Sequence, residues 1–381
     1  MGNPLKSYGR AAVSDFLGDR IVYRNLQPYD RSLPGFDQLR LELNMPGESL
    51  PRKNEAGYAR VIVELLKECR KQDFPGGQLE RLVFVGDTRL LDGTAYANLC
   101  RVSGWPGQAF IGAEDDLPAS LIQEKAEGGF PVLLSNRWAA LEAFDEHCRL
   151  RGVPIEAGTA VVIDLDKTTI GARGRNGQVI DEARMQAVEE TVSGLLGSGF
   201  NKQKFAAVYQ PLNQPEFHPF TADNQDNLAY VCLILGCGLF EFGELVRRVR
   251  MGEMKSFVEF IDEVENRKAE LSLELRQIHQ EIIERVRSGD PTPFKAFRRN
   301  EYILTVKRFG CLEDSAPAAE MLNQEIVITQ EVRRMAEIWR ERGALLFGLS
   351  DKPDEASLPT ATLEECGFQP LHRAITHAVG E

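Results

Sequence analysis

AVVIDLDKTT, residues 160–169, is the stretch that decides the fold expected for this chain. Its first four residues are apolar and mostly β-branched, which predicts a short buried strand rather than a helix. Asp164 and Asp166 follow at the end of this strand, where open α/β sheets bind their ligands. Alternate strand residues point the same way, so the two carboxylates are expected to be neighbours. Because close carboxylates repel each other, we expect a nucleophile and an acid/base here, with a hard cation such as Mg²⁺ between them.

An apolar strand followed by Asp164, Asp166 and Thr168 resembles motif I of the haloacid dehalogenase (HAD) superfamily. The resemblance implies that Asp164 attacks phosphorus to form an aspartyl-phosphate, that Asp166 protonates the leaving group, and that both help to bind Mg²⁺. A second interpretation starts the Asp-Lys-Thr motif of P-type ATPases at Asp166, but the Gly and Thr which should follow are replaced by Thr169 and Ile170. A third is that the aspartates only cap a turn.

A second apolar run, residues 82–85, ends in Gly86 and Asp87, with Asp92 five residues further on. It resembles HAD motif IV, which implies that Asp87 binds Mg²⁺ and that Asp92 supports this site. Lys53 precedes a segment with helical periodicity and takes the place of the motif III lysine, which steadies the nucleophile and the phosphoryl group. Arg52 is the alternative for this role.

A third apolar run follows Gly343 and ends in Ser350, resembling HAD motif II, whose hydroxyl hydrogen-bonds the transferring phosphoryl group. Ser135 also ends an apolar run and stays open as the alternative. We favour Ser350 because motif II should follow the cap domain. The elements that resemble motifs III and IV precede motif I, so the chain looks circularly permuted relative to the family. Permutation is tolerated where chain ends lie close together on the surface.

Alternating strands and helices predict an α/β fold with a doubly wound parallel sheet. We expect residues 1–180 to form the first part of the core, with motifs III, IV and I. A mostly helical block, residues 181–332, resembles a C1 cap, and residues 333–381 are expected to complete the core with motif II. Asn176-Gly177 predicts the turn of a hairpin that resembles the family's flap. Residues 1–50, with scattered prolines, predict irregular structure.

Composition limits the classes of partner. A formal charge of −12 over 381 residues argues against a nucleic-acid backbone as the main partner. The longest apolar run, residues 228–240, is shorter than the about 20 residues of a membrane span, so we expect a buried helix and no membrane. Seven cysteines without a CxxC pair fit a reducing compartment. The first six residues lack a secretory signal, and we therefore expect the cytoplasm. The sequence leaves the oligomeric state open, a homo-oligomer included.

Two basic clusters in the helical block are candidates for holding an anionic substrate: Arg247, Arg248 and Arg250, and then Lys295, Arg298 and Arg299. Solvated helix faces commonly carry such clusters too.

The resemblance as a whole implies a Mg²⁺-dependent phosphatase acting on a small-molecule phosphate ester. Asp164 would be the nucleophile, Asp166 the acid/base, and Lys53 and Ser350 would hold the phosphoryl oxygens. A large lid favours a small metabolite over a protein substrate. Two alternatives remain: a phosphomutase, and a HAD-like protein that has lost turnover and acts in binding or as a scaffold, which the unusual motif order favours.

Overall fold

The computed structural model describes residues 4–45 and 50–381. The strands in chain order are β1 (Lys6–Ala11), β2 (Ile21–Val22), β3 (Arg81–Gly86), β4 (Gly107–Gly112), β5 (Leu121–Lys125), β6 (Pro131–Ser135), β7 (Thr159–Asp164), β8 (Ile328–Thr329), β9 (Leu345–Leu349) and β10 (Thr376–Gly380). The helices are α1 (Ser14–Leu17), α2 (Phe36–Glu42), α3 (Ala56–Asp73), α4 (Leu91–Ser103), α5 (Leu141–Leu150), α6 (Gly177–Leu196), α7 (Lys202–Leu212), α8 (His218–Thr221), α9 (Gln225–Gly236), α10 (Phe242–Arg250), α11 (Phe257–Asn266), α12 (Leu273–Arg287), α13 (Lys295–Val306), α14 (Ala318–Gln324), α15 (Gln330–Glu341) and α16 (Ala361–Glu365).

The chain divides into two compact units. The first comprises residues 1–182 and 305–381, and the second residues 183–304. The chain passes between them within α6 and within α13. The expected cap extended to residue 332, whereas residues 305–332 belong to the first unit, where β8 pairs with β10.

The first unit is built on a mostly parallel sheet. Within the described residues it has seven strands in the order β2-β9-β7-β3-β4-β6-β5. Neighbouring strands run parallel except for β5, which is antiparallel to β6. The expected α/β class is confirmed. Because parallel strands share one direction, the residues that follow β9, β7 and β3 lie at the same edge.

Apolar side chains of this sheet pack under helices α3 and α4. Helix α3 buries residues at spacings of three and four, which gives it one apolar face: Tyr58, Val61, Ile62, Leu65, Leu66 and Cys69. Strand β7 is buried over its whole length, as expected for a central parallel strand. Residues 160–169 are thus held in the centre of the core.

Residues 1–50, expected to be irregular, contribute regular structure to this unit. Strand β1 pairs antiparallel with β10, which pairs parallel with β8 in a separate three-stranded sheet. Strand β2 is the edge strand of the larger sheet. The described part of this region supplies two strands and two helices to the fold, so the expectation holds only for the segments between them.

The expected hairpin at Asn176-Gly177 is also wrong, because helix α6 begins at Gly177. The Asn176 side chain donates to the carbonyl oxygens of Leu322 (2.6 Å) and Glu325 (2.9 Å) and accepts from the amide of Val327 (3.0 Å). These tertiary contacts use the polar groups that an Asn-Gly turn would expose to solvent.

The second unit is helical and has a core of its own. Residues 228–240, expected to form a buried helix, contain most of α9, whose residues from Asp226 to Leu235 are buried. Among residues 4–45 and 50–381, no helix combines the length and the apolar character needed to cross a membrane.

Candidate active site

Asp164 is the last residue of the central strand β7, and its carboxyl group is almost completely buried. Its Oδ1 accepts a hydrogen bond from Nζ of Lys53 at 2.5 Å. Its carbonyl oxygen accepts one from Oγ1 of Thr169 at 2.7 Å. Main chain and side chain of Asp164 are therefore both fixed.

The turn after β7 presents Asp166 to the residue that follows β9. Lys167 adopts a left-handed conformation (φ 59°), and its amide donates to the carbonyl of Ile170 at 2.8 Å. Ser350 donates from Oγ to Oδ2 of Asp166 at 2.6 Å. Ser350 is itself buried, so this hydrogen bond fixes the partly buried Asp166 carboxylate from one side.

Thr168, the third residue of the motif, has a buried hydroxyl with no hydrogen-bond partner in the part of the chain that the structure describes. Its carbonyl oxygen accepts from Oγ1 of Thr329 at 2.5 Å. The hydroxyl of Tyr58 is likewise buried without a partner among these residues. An unsatisfied buried hydroxyl costs about 1–3 kcal/mol, so both residues carry an unused hydrogen-bonding group at a cost in stability.

Lys53 lies in a turn three residues before α3, with only 2% of its surface exposed. In addition to Asp164, its Nζ donates to Oδ1 of Asp92 at 2.6 Å. The ring of Phe84 lies 5.8 Å from Nζ, within range of a cation–π contact. Arg52, the alternative, is exposed. The structure thus brings Lys53, and not Arg52, to Asp164.

Asp92 stands in the first turn of α4 and accepts hydrogen bonds on both oxygens. Its Oδ2 accepts from the amides of Asp87 (3.0 Å) and Thr88 (2.8 Å) and from Oγ1 of Thr88 (2.8 Å). A Cβ atom at Gly86 would lie 2.7 Å from the Asp92 carboxyl carbon, so only glycine fits there. Asp92 thereby holds the end of β3 in place.

Asp87 follows β3 directly and is also buried. Its Oδ2 accepts from Nε of Arg173 at 2.5 Å. The carbonyl oxygen of Arg173 accepts from the amide of Glu114 (2.9 Å) and from Nε1 of Trp138 (3.3 Å). A cavity of about 290 Å³ adjoins Asp87 and is lined also by Ser135. Asp87 therefore connects the buried cluster to an open space.

The structure separates the two serines considered for motif II. Ser350 contacts Asp166, as described above. Ser135 ends β6, which is separated from β7 by β3 and β4. Its hydroxyl has the carbonyl oxygens of Ser120 (3.0 Å) and Arg137 (3.1 Å) within reach as acceptors for its one proton. Of the two, only Ser350 contacts an aspartate of residues 164–166, whereas Ser135 shares the cavity beside Asp87.

Burial and charge act against each other in this cluster. Burial, reinforced by Asp92, raises the pKa of Asp87 to about 7. Burial also raises the pKa of Asp164 well above its ordinary value, because Lys53 offsets only part of the desolvation and of the repulsion from Asp92 and Asp87. At Asp92 the hydrogen bonds from Lys53 and Thr88 outweigh burial, so its pKa is lowered. Burial opposes the charged form of Lys53, yet Asp164 and Asp92 together raise its pKa well above the usual range.

The carboxyl groups of Asp87, Asp92 and Asp164 each place an oxygen within 4.8 Å of the others. Hard oxygen donors in this number suit a hard divalent cation such as Mg²⁺ or Ca²⁺. Asp92 is the least available of the three, because both of its oxygens already accept hydrogen bonds. The residues present therefore fit a cation held mainly by Asp87 and Asp164, with Asp92 orienting its neighbours.

Comparison of the chain with protein-family models, with curated proteins and with solved structures finds no match in any of the three.

Sequence reasoning missed three residues of this site: Arg173, Thr88 and Tyr58. A signal existed for Arg173, which lies in the basic run of residues 173–175 just after motif I. Thr88 follows Asp87 directly, in a position where a hydroxyl can cap the next helix. Tyr58 looks like an ordinary core residue of α3, and nothing in the sequence distinguishes it.

The basic clusters of the helical unit are paired with carboxylates of that unit. Arg247 pairs with Glu244 and Glu253, Arg248 with Glu263, Arg250 with Glu216, Lys295 with Asp290, and Arg298 with Asp226 and Glu301. These pairs account for the side chains that the sequence marked as anion-binding candidates, Arg299 excepted.

Proposed function

We propose that this chain is a Mg²⁺-dependent phosphatase of the HAD type, circularly permuted, that hydrolyses the phosphate monoester of a small metabolite. The observation that carries the proposal is the convergence at one sheet edge of Asp164 with its buried cation Lys53, of Asp87, and of Asp166 with its partner Ser350. These side chains come from four separate stretches of the sequence. If the aspartates only capped the turn after one strand, residues from the other three stretches would not need to lie beside them.

The strand order supports the permuted arrangement. The strand of Asp164, β7, has β3 on one side and β9 on the other. Strand β3 precedes β7 in the chain, with strands β4, β5 and β6 and helices α4 and α5 between them, yet the two are direct neighbours. The order of the motifs along the chain is therefore no obstacle to their assembly in space, which is the condition a permuted enzyme must meet.

In the first proposed step, a carboxylate oxygen of Asp164 attacks the phosphorus atom in line with the ester oxygen. The bond between phosphorus and the ester oxygen breaks, and protonated Asp166 gives its proton to that oxygen. Ser350 keeps the Asp166 carboxyl group oriented through the 2.6 Å hydrogen bond. In the proposed complex its hydroxyl would donate to a phosphoryl oxygen instead.

In the second step, water attacks the phosphorus atom of the aspartyl-phosphate and Asp166 takes the proton of that water. Inorganic phosphate leaves and the Asp164 carboxylate is restored. Lys53 holds Asp164 in position throughout, and its charge offsets part of the negative charge that accumulates there.

Mg²⁺, held by the carboxylates of Asp164 and Asp87 and by the carbonyl oxygen of Asp166, would offset the repulsion between the attacking carboxylate and the phosphate. Arg173 donates to one carboxylate oxygen of Asp87 and would have to move away if Mg²⁺ bound to that oxygen.

One observation favours a second candidate, a binding or scaffold protein without turnover. Lys53 pairs with Asp164 and Asp92, and Arg173 pairs with Asp87. The carboxylates are thus partly neutralised by residues of the chain itself, which lessens the need of the cluster for an added cation. Intact aspartates alone therefore do not decide between the two candidates.

The deciding experiment is hydrolysis of p-nitrophenyl phosphate with Mg²⁺ and with EDTA, for the wild type and Asp164→Asn. We expect Mg²⁺-dependent turnover that falls about a thousandfold or more in Asp164→Asn, as for other lost nucleophiles. Asp262→Asn, which changes a surface aspartate of the helical unit paired with Arg287, is the matched control and should keep full activity.

Activity that survives in Asp164→Asn, or that ignores EDTA, would contradict the proposed mechanism. A Mg²⁺-induced rise in thermal stability without turnover of any ester in a panel of sugar phosphates and other small phosphate esters would favour the binding protein.

A further inference from the structure

A cavity of about 1020 Å³ lies at the opposite edge of the sheet from the aspartates. It is lined by Arg81, where β3 begins, by Gly158, just before β7, and by Ala344 and Leu346, where β9 begins. Strands of six residues such as β3 and β7 are roughly 20 Å long. A small molecule in this cavity would therefore not reach Asp164.

Arg70, in the last turn of α3, contributes a buried positive charge to the wall of this cavity. Its side chain lines the cavity, and only 7% of the residue's surface is exposed. Its guanidinium donates from Nη2 to the carbonyl oxygen of Gly343 at 3.1 Å, and its Nε has no partner within the described residues. No carboxylate of the described chain forms an ion pair with it. Burial accordingly lowers the pKa of Arg70.

Arg340 adds a second guanidinium to the same wall, three residues before Gly343. It donates from Nη1 to the carbonyl oxygens of Asp15 (2.8 Å) and Phe16 (3.4 Å), and no ion pair to it exists within the described residues. Two guanidinium groups at one cavity are thus satisfied only by main-chain carbonyl oxygens. Guanidinium groups carry five donors each, in a planar fork that matches pairs of oxygens on carboxylates and phosphates.

The aspartates of the cavity wall already have hydrogen-bond partners within the chain. Asp73 forms a two-point ion pair with Arg20, and Asp19 one with Arg373. Asp30 accepts hydrogen bonds from the amide and the hydroxyl of Ser32. Glu80 pairs with Arg81, which also lines the cavity. Of the four arginines of this wall, Arg70 and Arg340 are therefore the two without a carboxylate partner among the described residues, and these two could take an anion.

The rest of the wall is apolar. It includes Phe16, Leu17 and Leu346, all buried, and Phe74, which is 65% exposed. An apolar wall beside a few placed charges is the usual composition of a small-molecule site. An inorganic anion would leave most of this wall in contact with water, whereas an organic anion would cover it.

We propose that this cavity, the Arg70 cavity, binds a small organic anion whose carboxylate or phosphate group lies on Arg70 and Arg340 and whose apolar body lies against Leu17 and Phe74. The site is distinct from the aspartate cluster and does not depend on the proposed phosphatase activity. Its lining residues belong to the first unit alone.

The test is calorimetric titration of the full chain in EDTA with benzoate, with phenylphosphonate and with neutral benzyl alcohol. We expect at least one of the two anions to bind with a stoichiometry of one per chain. Benzyl alcohol should bind at least about tenfold more weakly, because it cannot accept charge-assisted hydrogen bonds as an anion does. Which of the two anions binds more tightly identifies the head group as carboxylate or phosphate.

Arg70→Met should weaken anion binding at least about tenfold and Arg340→Met about threefold or more, since each removes charge-assisted donors but keeps the apolar stem. Arg149→Met, which changes an exposed arginine paired with Glu146 on α5, should bind as the wild type does. If Arg70→Met does not fold, Arg340→Met decides. Equal affinity in the variants and the wild type, or no binding of either anion by the wild type up to about 10 mM, would overturn the proposal.

Discussion

Lys53 lies between two buried carboxylates, with Nζ 2.6 Å from Oδ1 of Asp92 and 2.5 Å from Oδ1 of Asp164. Each of the three side chains is at most 6% exposed. Burying such charges is costly, and the cost is recovered only while the partners remain together. The role of Lys53 in stability is therefore larger than that of a surface lysine, whatever its role in catalysis.

Lys53→Met tests whether Lys53 stabilises the fold more than a surface lysine does. Removing the cation leaves Asp92 and Asp164 buried without it, so we expect the free energy of unfolding in EDTA to fall by about 3–5 kcal/mol. Urea unfolding followed by tryptophan fluorescence measures this in the first unit, which contains all three tryptophans, Trp105, Trp138 and Trp339.

The control is Lys67→Met, which removes the exposed partner of Glu64 on the same helix. It should change the free energy of unfolding by less than about 1 kcal/mol. Equal effects of the two substitutions would show that the buried pairs at Lys53 contribute no more than a surface pair.

For single residues of the site, the sequence predicts those that lie at the ends of strands and few of the others. Asp164, Asp87 and Ser350 could be identified because each follows an apolar run, and a strand end in a parallel sheet is a defined place. The basic run around Arg173 was a signal for a site residue, but no local pattern predicts that Arg173 reaches Asp87, which lies 86 residues earlier in the chain. The roles of these residues in catalysis stay predictions.

At the scale of elements, long apolar strands and amphipathic helices were predictable, and short pairings were not. The runs that became β3, β7 and β9 are nearly continuous apolar segments, the pattern of strands buried on both faces. Strand β2 has two residues and β1 is largely exposed, so neither shows a hydrophobic period. Their pairing with β9 and β10 depends on contacts more than 300 residues apart.

The loop of residues 171–176 joins the two sides of the site and depends on Gly174. This residue has φ 77°, and a Cβ atom there would lie 1.8 Å from the carbonyl oxygen of Glu114. The loop carries Arg173, bound to Asp87, and Arg175, a buried arginine that pairs with Glu114 and Glu331. A displacement at Gly174 would therefore disturb both ion-paired arginines.

Gly174→Ala is predicted to destabilise the first unit more than Gly104→Ala does. Gly104 has nearly the same conformation (φ 73°), but nothing lies within 4 Å of the Cβ position. Both variants bear the left-handed strain of about 1–2 kcal/mol, and only Gly174→Ala bears the main-chain clash, which should add about 1–3 kcal/mol. Tryptophan-monitored urea unfolding of the two variants measures the difference, and equal losses would contradict the close approach.

At the scale of the whole molecule, a buried histidine ties the last part of the chain to the first. His372 is fully buried and accepts or donates one hydrogen bond at Nδ1 with the hydroxyl of Tyr23 (3.0 Å). Asp19 lies 3.4 Å from Nε2, and the ring of Tyr29 packs edge-on at 4.5 Å. Burial lowers the pKa of His372 to about 4, and Asp19 offsets this only in part.

This lowered pKa predicts how stability depends on pH. Between about pH 6.5 and 4 the unfolded chain binds a proton at His372 and the folded chain does not. The contribution of His372 to the free energy of unfolding is therefore complete above pH 6.5 and is lost as the pH falls towards 4. The loss amounts to about 3 kcal/mol. Burial raises the pKa of Asp354 to about 6, so this group makes the folded chain more stable as the pH falls. The effect of His372 is therefore measured as the difference between the wild type and a variant that lacks the histidine.

His372→Asn removes the titrating group and isolates its effect. We expect the free energy of unfolding of the wild type to exceed that of His372→Asn by an amount that shrinks by about 3 kcal/mol from pH 7 to pH 4. Urea unfolding of both proteins across this range, followed by tryptophan fluorescence, measures the difference. His218→Asn, at a partly exposed histidine of the helical unit, controls for the replacement itself. A difference between wild type and His372→Asn that stays constant with pH would mean that His372 titrates alike in the folded and unfolded chains.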